Sequence, residues 1–128
     1  MGKQILLIED NEKNLYLATF LLEKHGHEVV SAPDGPGGIA MANQPRPALI
    51  LLDIQLPGMD GYAVVRALRA DATFKDTPIV AVTSFAMMSD RALAAGCDGY
   101  IEKPIGPEIF VAECERFLRP PRTQAGAT

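Results

Sequence analysis

Short apolar runs alternate with helical patterns along this chain, and this alternation constrains the fold more than any other feature. Apolar runs of four to six residues are typical of parallel strands that are buried on both faces. Five strand–helix units in succession predict an α/β fold, with a doubly wound five-stranded parallel sheet that helices cover on both sides. The strands are predicted at about 4–9, 27–31, 48–53, 78–82 and 99–102.

The helices between these strands are predicted from apolar spacing and from residues that begin or end a helix. Gly26 follows two basic side chains and predicts the end of the first helix. Gly37 and Gly38 weaken the second helix, since each glycine in a helix raises the free energy of helix formation by about 1 kcal/mol relative to alanine. In the third helix, Arg66 and Arg69 are expected to face water. The helices are predicted at about 12–24, 36–43, 60–70, 87–95 and from 106 to the proline pair at 120–121.

Length and composition indicate one folded domain at 1–119 and a flexible tail at 120–128. Hydrophobic residues make up 48% of the chain and charged residues 22%, which excludes a disordered chain. The net charge of −4 gives no electrostatic reason for direct binding to nucleic acid. No apolar stretch reaches the roughly 20 residues that span a bilayer, and no signal peptide is recognisable. We therefore expect a cytoplasmic protein with no membrane partner.

Polar residues follow four of the apolar runs directly. Glu9 and Asp10 follow the first strand, whereas Asp53, Thr83 and Lys103 follow the third, fourth and fifth. In an open α/β sheet, ligands bind where the strands end at their carboxyl side. Three carboxylates, a hydroxyl and an ammonium group are therefore predicted to converge at one edge of the sheet.

The predicted cluster has a chemistry that follows from its charges. Three carboxylates repel one another unless a cation binds or one of them takes up a proton. Lys103 offsets one charge, and a divalent ion would offset the others. An all-oxygen environment favours Mg²⁺. A carboxylate beside these cations is well placed to attack a phosphoryl group, and Thr83 can donate a hydrogen bond to a phosphoryl oxygen. The predicted reaction is formation of an aspartyl phosphate.

Four sequence motifs carry these residues: LLIEDN at 6–11, LLDIQLPGMDG at 51–61, VAVTSFA at 80–86 and GYIEKPI at 99–105. Together they resemble the receiver domain of two-component response regulators over about residues 3–118. The resemblance implies a flavodoxin-like (CheY-like) sheet with the strand order 2-1-3-4-5. The wording IEDNEKN at 8–14 and VTSFAMMSD at 82–90 is most similar to single-domain regulators of the DivK type.

The resemblance also implies a role for each acidic residue. Asp53 is implied to be the phosphoacceptor and to contact the metal ion. Asp10 is implied to bind Mg²⁺ directly, whereas Glu9 would act mainly through metal-bound water. The backbone carbonyl of Gln55 is implied to be a third protein ligand. Glu9 stands where the family often has aspartate, and the longer side chain is still compatible with this indirect role.

The remaining implied residues bind or sense the phosphoryl group. Lys103 would bind it, Thr83 would be the switch hydroxyl, and Tyr100 would be the switch aromatic on a signalling surface formed by the fourth helix, fifth strand and fifth helix. The chain would be a stand-alone response regulator rather than an enzyme with an external substrate. Its phosphodonor would be a sensor histidine kinase or a histidine phosphotransfer protein, and it would signal to a downstream protein target.

Other interpretations of the same residues stay open at this point. Asp10 or Asn11 could serve only as a helix N-cap, and Lys103 could belong to an ordinary turn. A small Mg²⁺-dependent phosphatase would use the same aspartate, but it would need a second acid where Gln55 stands. A flavin-binding protein would have Glu9 and Asp10 beside its cofactor phosphate, which they would repel. The fold could also be an interaction module that works without phosphorylation.

Overall fold

Strands and helices alternate throughout the computed structural model, which describes residues 4–42, 47–54, 60–83, 89–103 and 105–118. The strands are β1 (Gln4–Ile8), β2 (Glu28–Ala32), β3 (Leu49–Asp53), β4 (Ile79–Thr83) and β5 (Gly99–Glu102). The helices are α1 (Glu12–Lys24), α2 (Gly35–Met41), α3 (Gly61–Ala70), α4 (Ser89–Ala95) and α5 (Pro107–Leu118), with a short 3₁₀ turn at Ala72–Phe74. The tail predicted at 120–128 lies outside the described residues.

The five strands form one parallel sheet in the order β2-β1-β3-β4-β5, which confirms the prediction. Every residue of β3 and β4 is buried. These two strands have neighbours on both sides and helices on both faces, so their sequences are continuously apolar rather than alternating. β2 lies at an edge of the sheet and is more polar and more exposed than β3 and β4.

Two apolar cores lie on opposite faces of the sheet, because successive side chains of a strand point to opposite sides. On one face, alternate strand residues such as Leu6 and Ile50 pack with the buried side of α3. On the other, Ile5 and Leu49 pack with residues of α1 and α5. The second core includes Cys114, which is fully buried. The sheet is therefore packed between two helical layers.

The helix ends have local causes. The Asn11 side chain accepts a hydrogen bond from the Asn14 backbone N–H at 3.0 Å and so caps α1. At α2, the Asp34 carboxylate accepts from the Gly37 N–H at 2.8 Å. Gly38 lets α2 approach β1 closely, since a Cβ at this position would collide with the Ile8 side chain. Gly38, which weakens the helical pattern, thus serves the packing of α2 against β1.

The expectation that Arg69 faces water is wrong. Its guanidinium donates hydrogen bonds to the backbone carbonyl oxygens of Gly96, Phe74 and Thr77 at 2.7–2.9 Å. It also forms an ion pair with Asp98 at 2.7 Å. Apolar periodicity assigns Arg69 to the polar side of α3, but a long side chain at a helix end can reach unpaired carbonyls nearby. Arg66, one turn earlier, is exposed as predicted.

Among the described residues, no helix combines the length and the apolar character that crossing a membrane requires.

Candidate functional site

The carboxylates of Glu9, Asp10 and Asp53 lie together at the carboxyl edge of the sheet. Ile8 pairs with Leu52 in the parallel register between β1 and β3, so the residues that follow them reach the same level. One carboxylate oxygen from each of the three side chains lies within 4.8 Å of the others. The sheet therefore brings together the three acids that the sequence places at strand ends.

The three acids differ in their exposure to solvent. Glu9 and Asp53 are 3% and 4% exposed, whereas Asp10 is exposed. The pKa of Glu9 is raised to about 7, chiefly by burial and also by its hydrogen bond and charge repulsion with Asp53. The Asn11 backbone N–H donates to Glu9 Oε2 at 3.2 Å and opposes this shift, as does the Lys103 charge. The cluster thus holds more negative charge than its neighbours neutralise.

Lys103 reaches from the end of β5 to the two buried acids. Its Nζ lies 3.2 Å from Asp53 Oδ2 and 3.7 Å from Glu9 Oε1. Its backbone N–H donates to the Thr83 carbonyl oxygen at 2.8 Å, which fixes the end of β5 against β4. A lysine that serves only an ordinary turn would not need to contact either acid. The contacts therefore favour a role for Lys103 in the site.

Thr83 and Tyr100 lie on the two strands beyond Asp53. Thr83 ends β4, the neighbour of β3, and is 1% exposed. Tyr100 lies on β5 and is 41% exposed. It lines a cleft of about 620 Å³ between α4, β5 and α5, together with Leu93, Ile109 and Phe117. Thr83 is therefore near the acidic cluster, and Tyr100 lies at the surface that the sequence predicts for signalling.

The donor set of this cluster fits a magnesium ion. It consists of carboxylate oxygens, the ligands that hard divalent cations prefer, and one of the three acids is open to water. Asn11 caps α1, so Asp10 is not needed for that purpose. Gln55, which is predicted to contribute its carbonyl oxygen, lies outside the described residues.

The sequence does not indicate how the two carboxylate oxygens of Glu9 are held. The backbone N–H of Asn11 holds one oxygen of Glu9, and Lys103 lies close to the other. Strand and helix patterns place residues at strand ends but do not indicate in which direction a side chain turns there. The only sequence signal was the position of both residues beside the predicted cluster.

The family profile of the response regulator receiver domain matches residues 5–115. The polar-differentiation response regulator DivK of Brucella anthropi is 38% identical over 120 residues, which cover 92% of this chain and 98% of the relative. DivK of Brucella ovis has the same identity and coverage.

Solved structures of similar fold include the chemotaxis response regulator CheY4 of Vibrio cholerae. It has a TM-score of 0.87 and 28% identity, over 91% of this chain and 99% of that one. The receiver domain of the sensor histidine kinase PA1611 from Pseudomonas aeruginosa has a TM-score of 0.85 and 33% identity, over 92% of this chain and 98% of that one. That structure has a magnesium ion coordinated in its active-site cleft.

Proposed function

The chain belongs to the family of response regulator receiver domains, and from this premise we propose that it accepts a phosphoryl group on Asp53. The observation that carries the proposal is the acidic cluster with its lysine. Glu9, Asp10 and Asp53 offer oxygens within 4.8 Å of one another, and Lys103 Nζ lies 3.2 Å from the Asp53 carboxylate. Receiver domains are signalling proteins, and the proposed role is therefore transfer of information rather than turnover of a metabolite.

In the proposed reaction, a carboxylate oxygen of Asp53 attacks the phosphorus of a phosphohistidine on the donor protein. The phosphorus–nitrogen bond breaks, its electron pair stays with the imidazole nitrogen, and an acyl phosphate forms on Asp53. Lys103 can donate to a phosphoryl oxygen because its Nζ already lies beside the acceptor carboxylate. The donor would be a sensor histidine kinase or a histidine phosphotransfer protein.

Asp10 and Asp53 are the side chains that would hold Mg²⁺, with Glu9 acting through water. When bound, the ion supplies positive charge that offsets the carboxylates and the transferring phosphoryl oxygens. Both oxygens of Glu9 already have neighbours, the Asn11 N–H and the Lys103 ammonium. This arrangement supports the indirect role of Glu9, whereas the exposure of Asp10 supports direct binding.

The signalling surface is proposed to be the face formed by α4, β5 and α5. Leu93, Tyr100 and Ile109 from these three elements are 47%, 41% and 63% exposed. A phosphoryl group that draws in the Thr83 hydroxyl would open space behind it, and the Tyr100 ring could then turn inward. In such a change, the charge of the phosphoryl group shifts the equilibrium between two conformations of this face. A downstream protein that binds the face would sense the shift.

Incubation with a small acyl-phosphate donor, followed by intact-protein mass spectrometry, tests the phosphoacceptor proposal. One added phosphoryl group is expected when Mg²⁺ is present, and almost none after chelation. Asp53→Asn should remove the modification, because an amide is not nucleophilic enough to replace the carboxylate. Asp71→Asn is the matched control, since Asp71 is an exposed acid at the end of α3. The proposal fails if Asp53→Asn is modified as fast as the control.

A further inference from the structure

A second cleft, separate from the acidic cluster, lies between α3 and α4. Its volume is about 210 Å³, and its lining consists of Tyr62, Arg66, Arg91, Ala94 and Ala95. Two guanidinium groups from two different helices therefore share one small cleft. The signalling face proposed above uses α4 with β5 and α5, so this cleft lies on the other flank of α4.

Tyr62 forms a fixed base for one of the two arginines. Its side chain is almost fully buried, and the Asp60 carboxylate accepts a hydrogen bond from its backbone N–H at 3.0 Å. The Arg91 guanidinium lies over the ring, with Cζ 4.6 Å from the ring centroid. The attraction between the guanidinium charge and the ring face stabilises this placement. It holds the guanidinium in place without using the N–H donors that could bind a carboxylate.

No carboxylate in the described part of the chain lies within ion-pair distance of Arg66 or Arg91. Arg69, one turn beyond Arg66, is different: it donates to several backbone carbonyl groups and pairs with Asp98. Two cations that share a cleft repel each other, and an anion placed between them removes this repulsion. An arginine in such a place suits a carboxylate because its planar fork can donate two parallel hydrogen bonds.

The size of the cleft limits what can enter it. Clefts that enclose a cofactor or a drug-sized ligand measure roughly 300–1,000 Å³, which is more than the 210 Å³ available between α3 and α4. A single acidic side chain fits this volume. The protein has a net charge of −4, so an acidic partner is not attracted by the molecule as a whole. Recognition would depend on the two arginines, which makes their removal a sharp test.

We propose that the cleft between α3 and α4 binds a carboxylate side chain on an acidic segment of a partner protein. Arg66 and Arg91 donate the hydrogen bonds, and Tyr62 holds Arg91 in position. This docking site goes beyond the phosphoacceptor function, because no residue of the acidic cluster contributes to it. Its test therefore uses the unphosphorylated protein, and its outcome is independent of the chemistry at Asp53.

Fluorescence anisotropy with a labelled octapeptide that alternates glutamate and glycine measures the proposed binding to the full chain. A peptide with glutamine in place of glutamate is the control ligand, and inorganic phosphate is the free-anion competitor. The variants are Arg66→Gln and Arg91→Gln. Lys75→Gln is the matched control, since it removes one exposed positive charge outside the cleft. Circular dichroism verifies that all variants are folded.

Each arginine substitution is expected to weaken binding of the glutamate peptide about tenfold, because each removes a charge-assisted hydrogen bond. Lys75→Gln should bind like the wild type, and the glutamine peptide should not bind. The proposal is overturned if the glutamate peptide does not bind, if the arginine variants match the control, or if the glutamine peptide binds equally well. Displacement by phosphate at concentrations equal to those of the peptide would indicate a free-anion site and would overturn it too.

Discussion

At the scale of single residues, the three acids of the cluster are not equivalent. Asp10 is exposed, whereas Glu9 and Asp53 are buried and each lies near Lys103. A metal ion that keeps part of its water shell can bind directly to the acid that already faces water. The environment of each carboxylate, rather than its residue type, therefore supports the separate roles proposed for them.

Asp10→Ala is expected to weaken Mg²⁺ binding about tenfold or more, equivalent to about 1.4 kcal/mol, because it removes a charged ligand. Gln55→Ala is the matched variant, since alanine keeps the backbone carbonyl that position 55 is predicted to contribute. Isothermal titration calorimetry with MgCl₂ measures both affinities. Equal losses in the two variants would contradict the assignment of Asp10 as a direct ligand.

The two cysteines should be unreactive in the folded protein. Burial raises the pKa of Cys97 to about 11 and that of Cys114 to about 12. At pH 8, labelling with a thiol reagent should be slow in buffer and fast in denaturant, because the thiolate is the reactive form. Since the folded state favours the protonated thiols, it also loses stability as the pH rises above about 9. Rapid labelling of Cys114 in buffer would show that the core on this face is more open than described.

At the scale of secondary-structure elements, Arg69 connects more of the fold than any apolar pattern suggests. It joins the end of α3 to Gly96, the residue directly after α4, and to the segment before β4 through Phe74 and Thr77. Asp98 accepts both from Arg69 and from the Ile79 backbone N–H at 2.9 Å. This network positions α4, the helix that the proposed signalling face and the α3–α4 cleft share.

Arg69→Met is expected to destabilise the protein by about 2–4 kcal/mol, because it removes the hydrogen bonds that the guanidinium donates to several partly buried carbonyl groups and its ion pair with Asp98. Arg66→Met on the same helix should change the stability by no more than about 0.5 kcal/mol, since Arg66 is exposed. Chemical denaturation followed by circular dichroism gives both values. Similar stability in the two variants would show that the Arg69 network contributes little.

Phosphorylation should change the elements of the signalling face as well as the acidic cluster. Amide hydrogen exchange measured with and without the phosphoryl group is expected to differ most at residues 83–92 and 99–110, which include the end of β4, much of α4 and all of β5. The reason is the proposed switch, in which Thr83 moves toward the phosphoryl group and α4 and Tyr100 respond. Differences confined to 9–14 and 53–60 would contradict the proposed switch.

At the scale of the whole molecule, the family resemblance implies the strand order, and the strand pattern predicts that three acids and Lys103 converge; the structure shows both. The convergence is predictable because buried parallel strands require continuous apolar runs, and polar residues can follow only where such a strand ends. Arg69 and Asn11 show the limit of this prediction. Their contacts depend on where two distant segments meet and where a side chain turns, and neither property has a periodic signal in the sequence.

The central claim is that Asp53 carries the phosphoryl group. Borohydride reduces an acyl phosphate on aspartate to homoserine, so reduction after phosphorylation labels the acceptor permanently. Tandem mass spectrometry of the resulting peptides then identifies its position. Homoserine at position 53, formed only when both Mg²⁺ and the phosphodonor are present, is the predicted result. A reduced carboxyl group at another position, such as Asp10, or no reduced residue despite an added phosphoryl mass, would contradict it.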